Sequence, residues 1–503
     1  MKKNILTISS MVLALGAMVT SCTKDFTKIN TDPNTTPYAE ANQLLAPALV
    51  NTLTYNQLRN RNYNNELMQV TVDMNDGEGM VFRYDVRASL ADYLYNGWYA
   101  QLTNFKDIYK IASDPKRANT ALQGISLICQ SWVYSMLTDT YGDVPYFQSN
   151  LARDSGILEP RFDKQKDIYM DIFSKLEQAN TLLKSAGNIN AASDPVYKGN
   201  AQNWRKFGNS LYLRLLLRVS GKAEVTDTCV KKILQITGSA ANYPVFTSNA
   251  ESAVLRWTGS APYASPLIAV REQDYRSPAI ASFFIDNLNK WNDPRIDIPT
   301  YGVSGINRWG IAPASGVFAG VPSGYSAVEN PVKKAYFYST TSARTLQNDS
   351  LTGILMNYAE LQFIMAELAA RSWITGSAET YFTNAVDASI KYWIPAWSKD
   401  VKTYLAEGDI EWDNSGTLED KLEQIHLQKY YALFMVDLEQ WFEYRRTGHP
   451  VLPKGAGLKN NGEMPSRSIY PVYVQSTNPT NYKKAVAEQG EDRISTKVWW
   501  QKP

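Results

Sequence analysis

Histidine is almost missing from this chain. His426 and His449 are the only two in 503 residues, 23 positions apart, a spacing that matches no metal-binding motif. Cysteine is nearly as scarce: Cys22, Cys129 and Cys229, with no Cys-x-x-Cys pair, which excludes a zinc ribbon and a disulfide-dense scaffold. If Cys22 is modified, a bridge between the other two stays open. Cys129 lies in an apolar helical run with Ile125, Ile128 and Trp132, where a buried free thiol is the natural reading. No glycine-rich phosphate loop, His-Glu-x-x-His or Gly-x-Ser-x-Gly motif occurs, so nothing calls for a cofactor, a metal or a catalytic nucleophile. Charge of one sign is also lacking. The 51 basic residues, less Lys2 and Lys3 of the leader, leave 49 against 49 acids, which removes the electrostatic case for nucleic acid or a polybasic membrane patch.

What is plentiful is amphipathic aromatic surface. Tyrosine (31) outnumbers phenylalanine (16) nearly two to one, and there are 13 tryptophans. Such rings suit surfaces that are apolar on one side and wet on the other, as sugar or peptide docking requires, although many serve only to pack helices.

The N-terminus sets the address. Lys2 and Lys3 precede a mostly apolar stretch, Ile5 to Val19, that is too short to span a bilayer and matches the hydrophobic region of a signal peptide over residues 1–21. Val19-Thr20-Ser21-Cys22 then resembles a lipobox, which makes Cys22 the expected site of acylation. Two or more acyl chains anchor stably where one is marginal. Residues 22–42, with Asp32-Pro33-Asn34 and Pro37, read as a tether, and the charged Lys24-Asp25 after Cys22 resembles a surface-export signal. No later stretch is apolar enough to cross a membrane, so the body, residues 43–503, is expected as a single domain outside the bilayer.

That body reads as all-α, mainly helical. Leu122, Ile125, Cys129, Trp132 and Met136 recur at 3 and 4 on a helix over about 117–138. Ile168, Ile172, Leu176, Ala179 and Leu183 mark a second over 163–183, with Asp163 as its cap, and 203–219 is a third. Residues 354–394 form a helix pair whose small residues permit close approach, with Phe382 between the helices. Residues 416–447 read as one long helix. The helical scaffold therefore covers 43–240 and 353–447. The interval 241–352, rich in proline and glycine, cannot be continuous helix and reads as loop insertions on one face; 448–503 is also irregular. Asp139 and Asp143 admit a paired-carboxylate glycosidase, but Gly142 and Pro145 make Asp143 a turn residue instead. Glu439 and Glu443 read as a solvated or salt-bridged helix face.

Several segments in order carry a resemblance: Asp25–Asn34, Leu137–Tyr146 (Leu-Thr-Asp-Thr-Tyr-Gly-Asp-Val-Pro-Tyr), Trp204–Arg214, Asp293–Arg295, Met356–Glu360, Gln428–Tyr430 and Glu443–Gly448. Together with the lipobox they make the chain resemble the SusD/RagB family of outer-membrane nutrient-binding lipoproteins along nearly its whole length. The resemblance implies tetratricopeptide-like helix pairs with long irregular loop insertions. It also implies a SusC-like TonB-dependent outer-membrane transporter as partner, for which the lipoprotein is the lid, and an oligosaccharide or, alternatively, a peptide as ligand. It implies no catalysis, leaving a surface glycoside hydrolase as the rival class. It further implies that the shared motifs are structural: Asp143 and Pro145 set a loop, Trp204, Asn209 and Arg214 lock helices, and Arg445 and Arg446 pair with acids. A ligand platform of stacked aromatics with polar neighbours is implied in the variable loops, where the candidates are Tyr84, Trp257, Tyr263, Tyr275, Tyr301, Trp309 and Tyr325.

Overall fold

The computed structural model describes residues 39–75, 79–296, 308–342 and 345–502. By contacts the chain divides into a short N-terminal unit, Met1–Glu40, and a body, Ala41–Pro503. The expected signal peptide, Cys22 and most of the expected tether lie outside the described residues.

The body is built of helices in sequential pairs: α1 (Ala41–Arg59) with α2 (Leu90–Ala112), then α3 (Thr120–Tyr141) with α4 (Gln165–Leu183). Next come α5 (Ala201–Val219) with α6 (Thr226–Thr237), and α7 (Tyr358–Ala370) with α8 (Ala378–Trp393). Against α7 lies α9 (Leu418–Ala432), followed by α10 (Glu439–Thr447). Asparagines start several of these helices. Asn119 accepts from the Leu122 amide at 3.0 Å, and Asn200 accepts from Gln202 and Asn203 at 3.0 Å, each satisfying amides that the first turn leaves unpaired. Helix α3 is buried on nearly every side, so its apolar stripe marks only part of its buried surface. Both described cysteines are buried and free, Cys129 at its centre and Cys229 on α6.

Two expectations about the helices give way. Asp163 does not cap α4. It sits in a two-residue strand, Phe162–Asp163, where its Oδ2 accepts from the amides of Tyr146 and Phe147 at 3.0 and 2.9 Å, so its carboxylate is spent on the preceding turn. The single helix expected over 416–447 is two. Between α9 and α10 the backbone turns left-handed at Met435 (φ 69°) and Asp437 (φ 40°). Asp437 accounts for the break: its carboxylate accepts from Asn56 Nδ2 at 2.7 Å and Trp132 Nε1 at 2.9 Å, stitching α1 and α3 to the turn.

Inside the scaffold runs a buried ionic spine that joins Asp139, Arg214, Glu360, Lys429 and Glu443 of the shared motifs to Arg218 and Glu439 outside them. Arg214 makes a two-pronged bond to Glu360, both contacts 2.6 Å. Arg218 reaches Asp139 at 2.7 Å and Glu439 at 2.5 Å, and Lys429 reaches Glu443 at 2.6 Å. Glu439 and Glu443 are thus salt-bridged but not solvated; both are buried. Trp204 donates to Asp194 at 2.8 Å, and Asn209 donates to the Pro244 carbonyl at 2.8 Å, locking α5 to neighbouring segments. Arg446 pairs with Glu367 and Glu443, at 2.6 and 2.9 Å. Arg445 departs from the expectation. It donates to the carbonyl oxygens of Ser466 (2.5 Å) and Asp139 (2.7 Å), with its guanidinium 3.9 Å from the Trp441 ring centre.

The described residues of loop interval 241–352 fold into short helices and strands of two-stranded sheets. The pairing that matters for the site is antiparallel: Thr71–Val72 on Ala279–Ile280, with Thr71 opposite Ile280. It brings the segment after α1 against the loop insertion.

Candidate functional site

Beside that small sheet opens a cleft of about 520 Å³. One wall comes from residues 61–81: Arg61, Asn62, Glu66, Asp73, Asn75, Gly79 and Val81. The other comes from Arg271, Gln273, Asp274 and Ser277. The walls are tied across: Arg61 Nη1 donates to the Asp274 carbonyl at 3.4 Å, and Asn75 bonds the Ser277 hydroxyl. Arg271 pairs with Asp274 at 2.7 Å. A second, more open lobe of about 640 Å³ continues the cleft, sharing Arg271, Gln273 and Ser277 and adding Glu272, Arg276 and Lys333. Amides, carboxylates and guanidinium groups at this density can bond the hydroxyls of a polar ligand. The described lining holds no aromatic ring.

The aromatic candidates stand elsewhere. Tyr275 lies within the 271–277 run but turns inward and is buried. Tyr84, left-handed at φ 62°, is buried in the main core. Tyr325 is caught between the Phe82 ring (5.2 Å) and the Arg83 guanidinium (4.5 Å). Trp309 is fully buried between Phe434, at 4.9 Å, and Phe284, at 5.6 Å. Trp257 is buried also, and Tyr263 alone among the described candidates is half-exposed. Tyr301 lies outside the described residues. Burial leaves five of these rings without a face for a ligand, because a large apolar side chain gains most when water is excluded from both faces. Sequence reasoning missed the polar walls. Their signal was the charged run Arg271-Glu272-Gln273-Asp274 inside the proline-rich interval, together with Asp73 and Asn75 just before Asp76 and Glu78.

The acid pairs serve structure. Asp139 Oδ1 accepts from Tyr169 (2.7 Å) and Trp500 (2.8 Å), and Asp143 accepts from the Gln165 amide at 2.8 Å. One cluster, Glu367, His426 and Glu443, has the geometry of a metal site. Its charge is already matched: Arg446 and Arg371 hold Glu367, and Lys429 holds Glu443, at 2.6 to 2.9 Å. Burial would raise Glu367, yet the Arg446 charge keeps it well below the ordinary carboxylate range, while burial lowers His426. A cation there would be repelled by the three already in place.

The structure is a scaffold of paired helices with an open polar cleft, lined by residues 61–81 and by the loop insertion, whose groups can hold a polar ligand. The sequence pattern of the SusD-like family described as starch-binding, associating with outer membrane, matches residues 33–471, and the chain belongs to that family. No curated protein sequence matches it. Among solved structures it is similar to a SusD homologue of Bacteroides fragilis (24% identity, 92% of this chain and 100% of that one, TM-score 0.75). It is also similar to a chitin-binding SusD homologue of Flavobacterium johnsoniae (22% identity, 92% and 98% covered, TM-score 0.74). At these identities the likeness is one of fold. Among the described residues no helix is long and apolar enough to cross a membrane.

Proposed function

We propose that this chain is an exported lipoprotein, acylated at Cys22, that stands on the extracellular face of the outer membrane. There it captures a glycan in the polar cleft and passes it to a SusC-like TonB-dependent transporter, over which it closes. The cleft carries this reading: two segments about 200 residues apart in sequence are paired by Thr71–Val72 and Ala279–Ile280 so that eleven lining residues, eight of them charged or amide-bearing, face one space. Family membership and the chitin-binding neighbour support a glycan as ligand. Binding without turnover is supported by the structural employment of Asp139 and Asp143. Metabolic labelling with a fatty acid tests the anchor. Label enters the parent protein and is lost in Cys22→Ala, which appears in the soluble fraction. A barrel of transporter size accompanies the parent from detergent-solubilised membranes. Equal labelling of both proteins, or purification of the parent without a barrel, contradicts the reading.

A further inference from the structure

We propose that the second lobe of the cleft receives an anionic group, so that the captured glycan is an acidic oligosaccharide bearing carboxylate or sulfate. This rests on the cleft being the ligand site. Three cations, Arg271, Arg276 and Lys333, line that lobe against one acid, Glu272. Arg276 bonds Glu272 at 2.9 Å through Nη1 and Arg271 bonds Asp274 at 2.7 Å through Nε, and both side chains stay exposed, so neither acid uses up the five N–H donors of its guanidinium. Lys333 is different. It bonds the Arg276 carbonyl oxygen and makes no ion pair among the described residues.

Arg276 and Lys333 also share one ring: their charged groups lie 5.1 and 4.6 Å from the centre of Tyr336, and Arg276 Nη2 donates to its hydroxyl at 3.2 Å. The ring offsets part of the repulsion between two like charges held this close, but supplies no counter-charge. Burial first, and the Arg276 charge second, hold the Lys333 amino group below its ordinary value, against a smaller opposing pull from Asp73. A neutral sugar entering this lobe would strip water from the cations and return no charge to them. An acidic sugar returns it. The first lobe, with Asn62, Asn75 and Ser277, is left to take hydroxyls.

Calorimetric titration of the full chain tests this with four probes: trigalacturonate (carboxylate), a sulfated chondroitin hexasaccharide (sulfate), maltotriose (neutral) and triglutamate (an acidic peptide). At least one acidic glycan binds ~tenfold more tightly than maltotriose, and which one identifies the anion. Lys333→Gln and Arg276→Gln each weaken that binding ~fivefold without changing Tm, and raising salt from ~50 to ~300 mM weakens it further. If maltotriose binds as well as both acidic glycans, or neither acidic glycan binds, or the two variants bind like the parent, the basic-lobe inference falls and the cleft reading survives. Preference for triglutamate over every glycan overturns it in favour of peptides. If acidic glycans bind but Ser277→Trp leaves them unaffected, the cleft itself is the wrong site.

Discussion

At the scale of single residues, the buried charges decide most. Arg218 is fully buried and faces Asp139 of α3 and both Glu439 and Glu443 of α10. Its removal leaves three carboxylates without their shared cation in a space closed to water. Arg218→Ala is therefore expected to cost about 3–5 kcal/mol in urea unfolding, more than truncating a surface arginine, and a loss below about 1 kcal/mol would contradict the spine as described. His449 is the pH-sensitive member. Its Nδ1 lies 2.5 Å from Glu423 and its Nε2 2.9 Å from Glu419. Both partners are acidic side chains, so the protonated ring can donate to each of them. The bond to Glu423, with Glu419 adding to it, raises the imidazole above its ordinary value of 6.5. The sign follows: a raised folded value means the folded state binds the proton more tightly, so the stabilisation is complete below pH 6.5 and is lost as pH rises through the folded value. Thermal unfolding of parent and His449→Gln should show a Tm gap at pH 5.5–6 that narrows as the buffer becomes alkaline; a gap that widens would refute the assignment.

At the scale of elements, glycine sets how closely helices meet. A Cβ on Gly97 of α2 would stand 2.5 Å from the Tyr55 ring of α1, and one on Gly124 of α3 would stand 2.6 Å from Leu183 of α4. Alanine is the better helix former by about 1 kcal/mol, but overpacking costs about 1–3 kcal/mol. Gly97→Ala is expected to lower stability in chemical denaturation, and a more stable variant would show that the pair has room. The elements also show what sequence could and could not tell. Apolar recurrence placed α3, α4, α5, α7 and α8 to within a few residues, since the core face of a helix repeats by geometry alone. It joined α9 to α10 because the break depends on Asp437 meeting Asn56 and Trp132, partners more than 300 positions away. It missed the cleft walls for the same reason: a wall is made by a pairing such as Thr71 with Ile280, and neither strand is long enough to announce itself. Five of the aromatic candidates are buried, and a tyrosine or tryptophan in a loop looks the same in sequence whether the loop folds it inward, as at Tyr275 and Trp309, or leaves it half-exposed, as at Tyr263.

At the scale of the whole molecule, the ionic spine and the glycine contacts hold the helices close together, and a polar cleft opens between residues 61–81 and the loop insertion. A cleft already open in the fold suits capture, because little ordering entropy then opposes binding. The division of labour is clear in the residues. Asp139, Arg214, Glu360, Lys429 and Glu443 of the shared motifs are buried in the scaffold, and Arg61, Asn75, Arg271 and Ser277 at the cleft lie outside the motifs. The most direct measurement is a glycan array probed with the parent chain and with Ser277→Trp, whose indole would fill the cleft. The parent should retain at least one class of glycan, and the variant should retain it ~tenfold more weakly at an unchanged Tm. Retention of no glycan by the parent, or equal retention by both proteins, would contradict capture in this cleft.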